Sequence, residues 1–167
     1  GKDVVLVEGD SGDTENKVAP TTVQTLLSKN VDGIIGAASS SVSLSVVDTI
    51  ATAGVVMFSP ANTSKKFSTY DDKGLYFRDA PSDILQGSVL AKTIIANGKS
   101  SVYILALNDD YGTGLADDLE GSLKDGGGEV VGKKIYDPKA ADYSTEVQEA
   151  KDSGADAIAL IGFDESS

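Results

Sequence analysis

Short apolar runs alternate along this chain with segments whose apolar residues recur at helical spacing, and glycine marks most of the exchanges. Few folds accept that order. It is the pattern of parallel strands joined by right-handed helical crossovers, an α/β architecture in which ligands bind beyond the carboxyl ends of the strands. Asp3 to Glu8 reads as a buried strand, which Gly9-Asp10-Ser11-Gly12-Asp13 breaks into a loop. A helix from about Pro20 to Lys29 follows, with proline in its first turn and Val23, Leu26 and Leu27 on one face. A strand ending at Gly36 leads into a second helix, where Leu44, Val47, Ile50 and Ala51 share a face until Gly54 stops it. Val55 to Ser59 is the next apolar strand.

The pattern then pauses. Residues 64–74 are polar and without period, which places a boundary or crossing segment over 64–81. After Pro81 the alternation restarts with a helix bearing Ile84, Leu85, Val89, Leu90 and Ile94. Ser101 to Leu107 is the strongest strand, and Leu115, Leu119 and Leu123 mark the helix behind it, ended by Gly126-Gly127-Gly128. Glu129 to Tyr136 suits a strand, Tyr143, Val147 and Ala150 mark a helix, and Asp156 to Gly162 is the last strand. Two αβ runs joined by an irregular stretch suggest two lobes, residues 1–78 belonging to the first and 79–167 to the second.

The run from Gly33 to Ser43 is the most informative for chemistry, because it joins an apolar strand to a helix through small hydroxylated residues. The first N–H groups of a helix lack internal partners and carry partial positive charge, so an anion can sit on them while serine hydroxyls add donors. Ser40, Ser41 or Ser43 can also serve as a plain N-cap, the commoner role for such residues, and the stretch by itself leaves both readings open. The turn-prone Ser59-Pro60-Ala61-Asn62-Thr63 falls at the same end of a parallel sheet. Asn62 can donate to a polar ligand or cap its own turn.

Composition removes several function classes. Lys and Arg number 14 against 26 Asp and Glu, and a formal charge of -12 repels phosphate backbones and anionic lipid, so nucleic acid is not an expected partner. The chain contains neither cysteine nor histidine. Disulfides and thiolate sites are thereby excluded, and triad hydrolases and most zinc enzymes lose their usual base and ligand. No cofactor motif is present, no apolar run has the length of a membrane span, and no export signal lies in this stretch, so the reading is of a soluble chain without direct membrane insertion.

Two local motifs have ordinary explanations. Gly9 to Gly12 resembles the nucleophile loop of trypsin-like proteases, but Ser11 has no histidine to activate it, and Asp10, Asp13 and Glu15 lack calcium-loop spacing. Asp109 and Asp110 stand where magnesium-holding acids stand in some α/β domains, and also where a helix cap belongs. Arg78 can line the crossing segment or pair with a carboxylate, and a surface ion pair is the expected role.

Four motifs in order, Gly36-Ala-Ala-Ser-Ser-Ser41, Gly54-Val-Val-Met-Phe-Ser-Pro-Ala-Asn-Thr63, Tyr76-Phe-Arg-Asp-Ala-Pro-Ser-Asp-Ile-Leu-Gln-Gly87 and Asn108-Asp-Asp-Tyr-Gly-Thr-Gly-Leu-Ala116, resemble the branched-chain amino acid type of periplasmic substrate-binding protein that serves ABC transporters. The resemblance implies two Rossmann-like lobes with parallel sheets flanked by helices, the type I periplasmic-binding-protein-like fold, incomplete here at both ends. The family's first strand would precede Gly1, leaving Asp3 to Glu8 without its neighbour, and part of the second lobe would follow Ser167. It implies that Ser40 and Thr63 hold the carboxylate and ammonium of an amino acid, assisted by main-chain groups near Ala38, Ser39 and Ala61. Tyr111 would close over the ligand, Phe163 would pack on its side chain, and Asp164 or Glu165 is a candidate acid for the ammonium.

The implied function is non-catalytic capture of an amino acid or similar zwitterion for a membrane permease of an ABC transporter, extracytoplasmic, in the periplasm or as a cell-surface lipoprotein, with no catalytic or metal residue. A sensory or regulatory ligand-binding domain of the same fold is the alternative. A metal-dependent α/β enzyme using Asp109 or Asp110 is a third reading, opposed by the absent histidine and the lack of a phosphate-loop glycine pattern.

Overall fold

The computed structural model describes residues 3–163, which divide into two compact units on either side of the Ala80–Pro81 bond. In the first, helix α1 (Ala19–Ser28) starts with Pro20 in its opening turn, where the missing N–H costs nothing, and buries Ala19 and Val23. Strand β1 (Gly33–Ile35) follows. The expected second helix is two, α2 (Ser40–Leu44) and α3 (Val47–Thr52). The break has a local cause. The Val42 carbonyl accepts from both the amide and the hydroxyl of Ser45, so the Val46 amide turns to Ser43 instead and its residue leaves helical geometry at φ -127.

Strands β2 (Val56–Ser59) and β3 (Tyr76–Arg78) complete a parallel sheet in the order β1-β2-β3, with a 3-10 turn at Lys65–Thr69 in the intervening stretch. One face of the sheet carries Ile34, Met57 and Tyr76 into a core with Val23, Val42, Val47, Ile50 and Phe67. The register sets Ile35, Phe58 and Phe77 side by side on the opposite face, where all are exposed, Ile35 at 82%. Asp3 to Glu8 departs from its expected buried strand. Val4 is 97% exposed and the segment is in no sheet, because a strand exists only where a neighbour takes its amides and carbonyls, and no described strand does. Asp164 and Glu165 lie outside the described residues.

The second unit holds α4 (Asp83–Ala96), β4 (Ser101–Leu107), α5 (Asp110–Asp125), β5 (Glu129–Tyr136), α6 (Ser144–Asp152) and β6 (Ala157–Ile161). Its sheet is parallel throughout, in the order β5-β4-β6. The central strand β4 is apolar on both faces because both are covered. Val102, Ile104 and Ala106 pack with Ala91, Leu115, Leu119 and Leu123, while Tyr103, Leu105 and Leu107 pack with Tyr136 and Ala150. Helices α4 and α5 approach closely at Gly87, where a β-carbon would stand 2.9 Å from the Asp118 carbonyl carbon.

Leu119 is fully buried between these layers. Leu119→Ala is expected to destabilise the second unit by about 3 kcal/mol, transfer and cavity terms together, measured as the urea midpoint. A loss below about 1 kcal/mol would show that this core collapses around the deletion.

Candidate functional site

The carboxyl ends of β1 and β2 bring the 37–40 and 59–64 loops of the first unit together, and a set of buried polar groups binds them. Ser59 Oγ donates to the Ala37 carbonyl at 2.7 Å and accepts from the amides of Ala61 at 3.3 Å and Asn62 at 3.1 Å. Ser43 Oγ accepts from the Ala37 amide at 3.1 Å and donates to the carbonyl of the same residue at 3.3 Å. Asn62, fully buried, gives both amide protons to the first loop, to Ala37 O at 3.0 Å and Ala38 O at 2.9 Å, and its Oδ1 accepts from the Tyr76 hydroxyl at 3.0 Å. Both of its amide protons thus serve the first loop, and its carboxamide oxygen serves Tyr76.

The second loop answers the first through Ser40, whose Oγ accepts from the amides of Thr63 and Ser64, each at 3.2 Å. Ser40 is 2% exposed. With both lone pairs engaged, the hydroxyl keeps its proton to give. The N-cap of α2 is Ser39, whose side chain accepts from the Val42 amide, so capping falls one residue before the serines that sequence marked for it. Around this centre Ala38 and Ala61 are exposed while Ser39 and Thr63 are half-buried. Six of the sequence-marked residues therefore meet in one place, Ala38, Ser39, Ser40, Ala61, Asn62 and Thr63.

Arg78 corrects its expectation of a surface ion pair. Its Nη1 donates to the carbonyls of Ser64 at 2.8 Å and Asn62 at 3.4 Å, and its Nη2 donates to Ser68 Oγ at 2.9 Å. Sequence reasoning also passed over Ser43 and Ser59 as supports and Tyr76 as a partner of Asn62. The available signal was their type: polar residues at positions that the strand and helix periods assign to the core.

The other marked residues, Tyr111 and Phe163, meet in the second unit at the carboxyl ends of β4 and β6. Their rings stack with centroids 5.3 Å apart and planes 28° from parallel. Burial pushes the Tyr111 phenol above its usual range, and the negative charge of Asp83 adds to the shift, so the ring presents a neutral hydroxyl. Asp109 is the N-cap of α5, accepting from the Gly112 amide at 2.6 Å. Asp10 and Asp13 take up turn amides of Gly12, Glu15 and Asn16. Among the described residues no group of acids is arranged to hold a metal ion, and no helix is long and apolar enough to cross a membrane.

A sequence profile described as periplasmic binding protein matches residues 1–166. The "Leu/Ile/Val-binding protein homolog 3" of Brucella melitensis is 26% identical over 166 residues, spanning 98% of this chain and 44% of its own length. Among solved structures, an extracellular ligand-binding receptor from Rhodopseudomonas palustris superposes with a TM-score of 0.83 at 22% identity, over 92% of this chain and 44% of that one. An ABC transporter substrate-binding protein from Desulfitobacterium hafniense in complex with Leu gives a TM-score of 0.69 at 26% identity, over 93% and 46%. The chain thus spans less than half the length of these relatives.

Burial raises Tyr76 to about 12, against the lowering influence of Arg78 and with a further raising from Asp72. A phenol held protonated in the fold but ionising near pH 10 when unfolded stabilises fully below pH 10 and loses that contribution as pH rises toward 12. The expected loss is about 2 kcal/mol over that window. Calorimetry across the window should show it, and Tyr76→Phe, less stable at neutral pH because Asn62 Oδ1 loses its donor, should show a flatter profile. An equal slope in Tyr76→Phe would assign the alkaline loss to other groups.

Proposed function

The chain belongs to the periplasmic binding protein family, and from that premise we propose that it contributes to the non-catalytic capture of an amino acid, bound at Ser40 and Thr63, for delivery to the membrane permease of an ABC transporter outside the cytoplasm. The observation that carries this reading is the state of the Ser40 hydroxyl. Two amides occupy its lone pairs, so it acts as a donor, which suits a carboxylate. Thr63 beside it offers a hydroxyl that can accept from an ammonium. A zwitterion can be satisfied by such neutral groups, each end gaining charge-assisted hydrogen bonds without a buried countercharge of the protein.

The relatives named for leucine, isoleucine and valine, and the solved relative holding Leu, support an aliphatic amino acid as ligand. The small exposed Ala38 and Ala61 leave room beside the hydroxyls. In the second unit the Tyr111 and Phe163 rings stack as an aromatic pair, and burial keeps the Tyr111 hydroxyl neutral. The proposal needs no nucleophile, cofactor or metal.

Thermal unfolding of the protein against a panel of the common amino acids tests this. A ligand binding only the folded state stabilises it by about 2.7 kcal/mol at a hundredfold excess over Kd. Leucine, isoleucine or valine should raise the midpoint, and Thr63→Ala should remove the rise while leaving the unliganded midpoint within a few degrees. Ser40→Ala should remove it too, and should lower the unliganded midpoint because two amides lose their acceptor. A panel without any shift, or a shift untouched by Thr63→Ala, refutes the assignment.

A further inference from the structure

Thr63 stands between two carbonyls that one side chain holds. Arg78, the last residue of β3, reaches the carbonyl on each side of Thr63, those of Asn62 and Ser64, and extends its second nitrogen to Ser68 at the far end of the turn. A guanidinium has five donors in a rigid plane, so it can fix several acceptors in one geometry, as an ammonium on a flexible stem cannot. The Thr63 amide is fixed from the opposite side by Ser40. Position 63 is thereby restrained at its own amide and at the carbonyls before and after it.

We infer that Arg78 is a positioning residue for ligand capture, setting the orientation of Thr63 without touching the ligand. The inference rests on the assignment of Thr63 to an amino-acid ammonium. The network supplies its mechanism: with Arg78 removed, the 62–64 backbone keeps its links to the 37–40 loop through Ser40 and Asn62 but loses the restraint that fixes its carbonyls. The Ser64 carbonyl is then released, and the planar Asn62–Thr63 peptide, held only through its amide, can swing about that bond and carry the Thr63 hydroxyl with it. Binding weakens chiefly at the ligand's ammonium end.

The test combines hydrogen exchange with leucine and 4-methylpentanoate, which is leucine without its ammonium. Arg78→Gln is expected to raise amide exchange at Thr63 and Ser64 at least tenfold, with the amides of β4 unchanged. It should weaken leucine binding at least tenfold while altering 4-methylpentanoate binding less than threefold. Combined with Thr63→Ala it should lose little more than either single variant, since both remove the same contact. Arg78→Lys should recover only part of the loss. Unchanged exchange at Thr63, equal weakening of both ligands, or additive losses in the double variant would each overturn the inference. A wild-type protein that binds no leucine defeats the amino-acid assignment, and the exchange result still decides whether Arg78 sets Thr63. Should Arg78→Gln not fold, Ser68→Ala removes only the outer contact and is expected to raise Thr63 exchange about threefold; no rise overturns the inference.

Discussion

Three donors converge on the carbonyl of Ala37: Ser43 Oγ, Ser59 Oγ and Asn62 Nδ2, at 3.3, 2.7 and 3.0 Å. A peptide oxygen enclosed among apolar side chains must find partners inside the protein, and the cost of leaving it bare exceeds the net gain of an ordinary hydrogen bond. Here the partners come from α2, β2 and the loop that follows β2, so satisfying one atom fixes three pieces of chain. The arrangement is cooperative, since each bond orients a group that makes the next. Ser40 meets Thr63, and Arg78 meets the carbonyls of the second loop, only because this centre has already set the distance between the loops.

Much of the architecture was legible because it depends on period and punctuation. Leu115, Leu119 and Leu123 repeat every turn, β4 is apolar without interruption because helices lie on both of its faces, and glycines close the helices. Such signals are local and survive without knowledge of neighbours. Asp3 to Glu8 shows the limit: its residues favour a strand, yet pairing is a property of two segments, and only one is described. The α2–α3 break was hidden for a related reason. Leu44, Val47 and Ile50 keep helical spacing, while the interruption arises from a hydroxyl on Ser45 that diverts one carbonyl.

At the candidate site the sequence marked residues that the fold brings together, without showing which of their hydrogen bonds the fold itself uses. Ser40, Thr63 and Asn62 look alike as small polar residues at strand ends. Only hydrogen-bond geometry separates a hydroxyl with a proton to spare from a carboxamide whose protons are spent. Arg78 was harder still, because a lone arginine in an acidic chain invites an ion-pair reading, whereas the folded partners are main-chain carbonyls that no side-chain pattern reveals. Arg78 aside, the outcome is a centre built from neutral donors and acceptors. With no histidine in the chain, no side chain of ordinary pKa changes charge between pH 5 and 8.

The exposed row of Ile35, Phe58 and Phe77 bears on how such a chain behaves in solution. Side by side across adjacent parallel strands, these side chains form an apolar stripe of the kind that water drives onto any matching surface. A formal charge of -12 opposes that tendency by mutual repulsion between molecules. Salt shortens the reach of the repulsion to about 3 Å at molar strength and leaves the stripe untouched. Ionic strength therefore sets how far charge offsets the pull of the stripe.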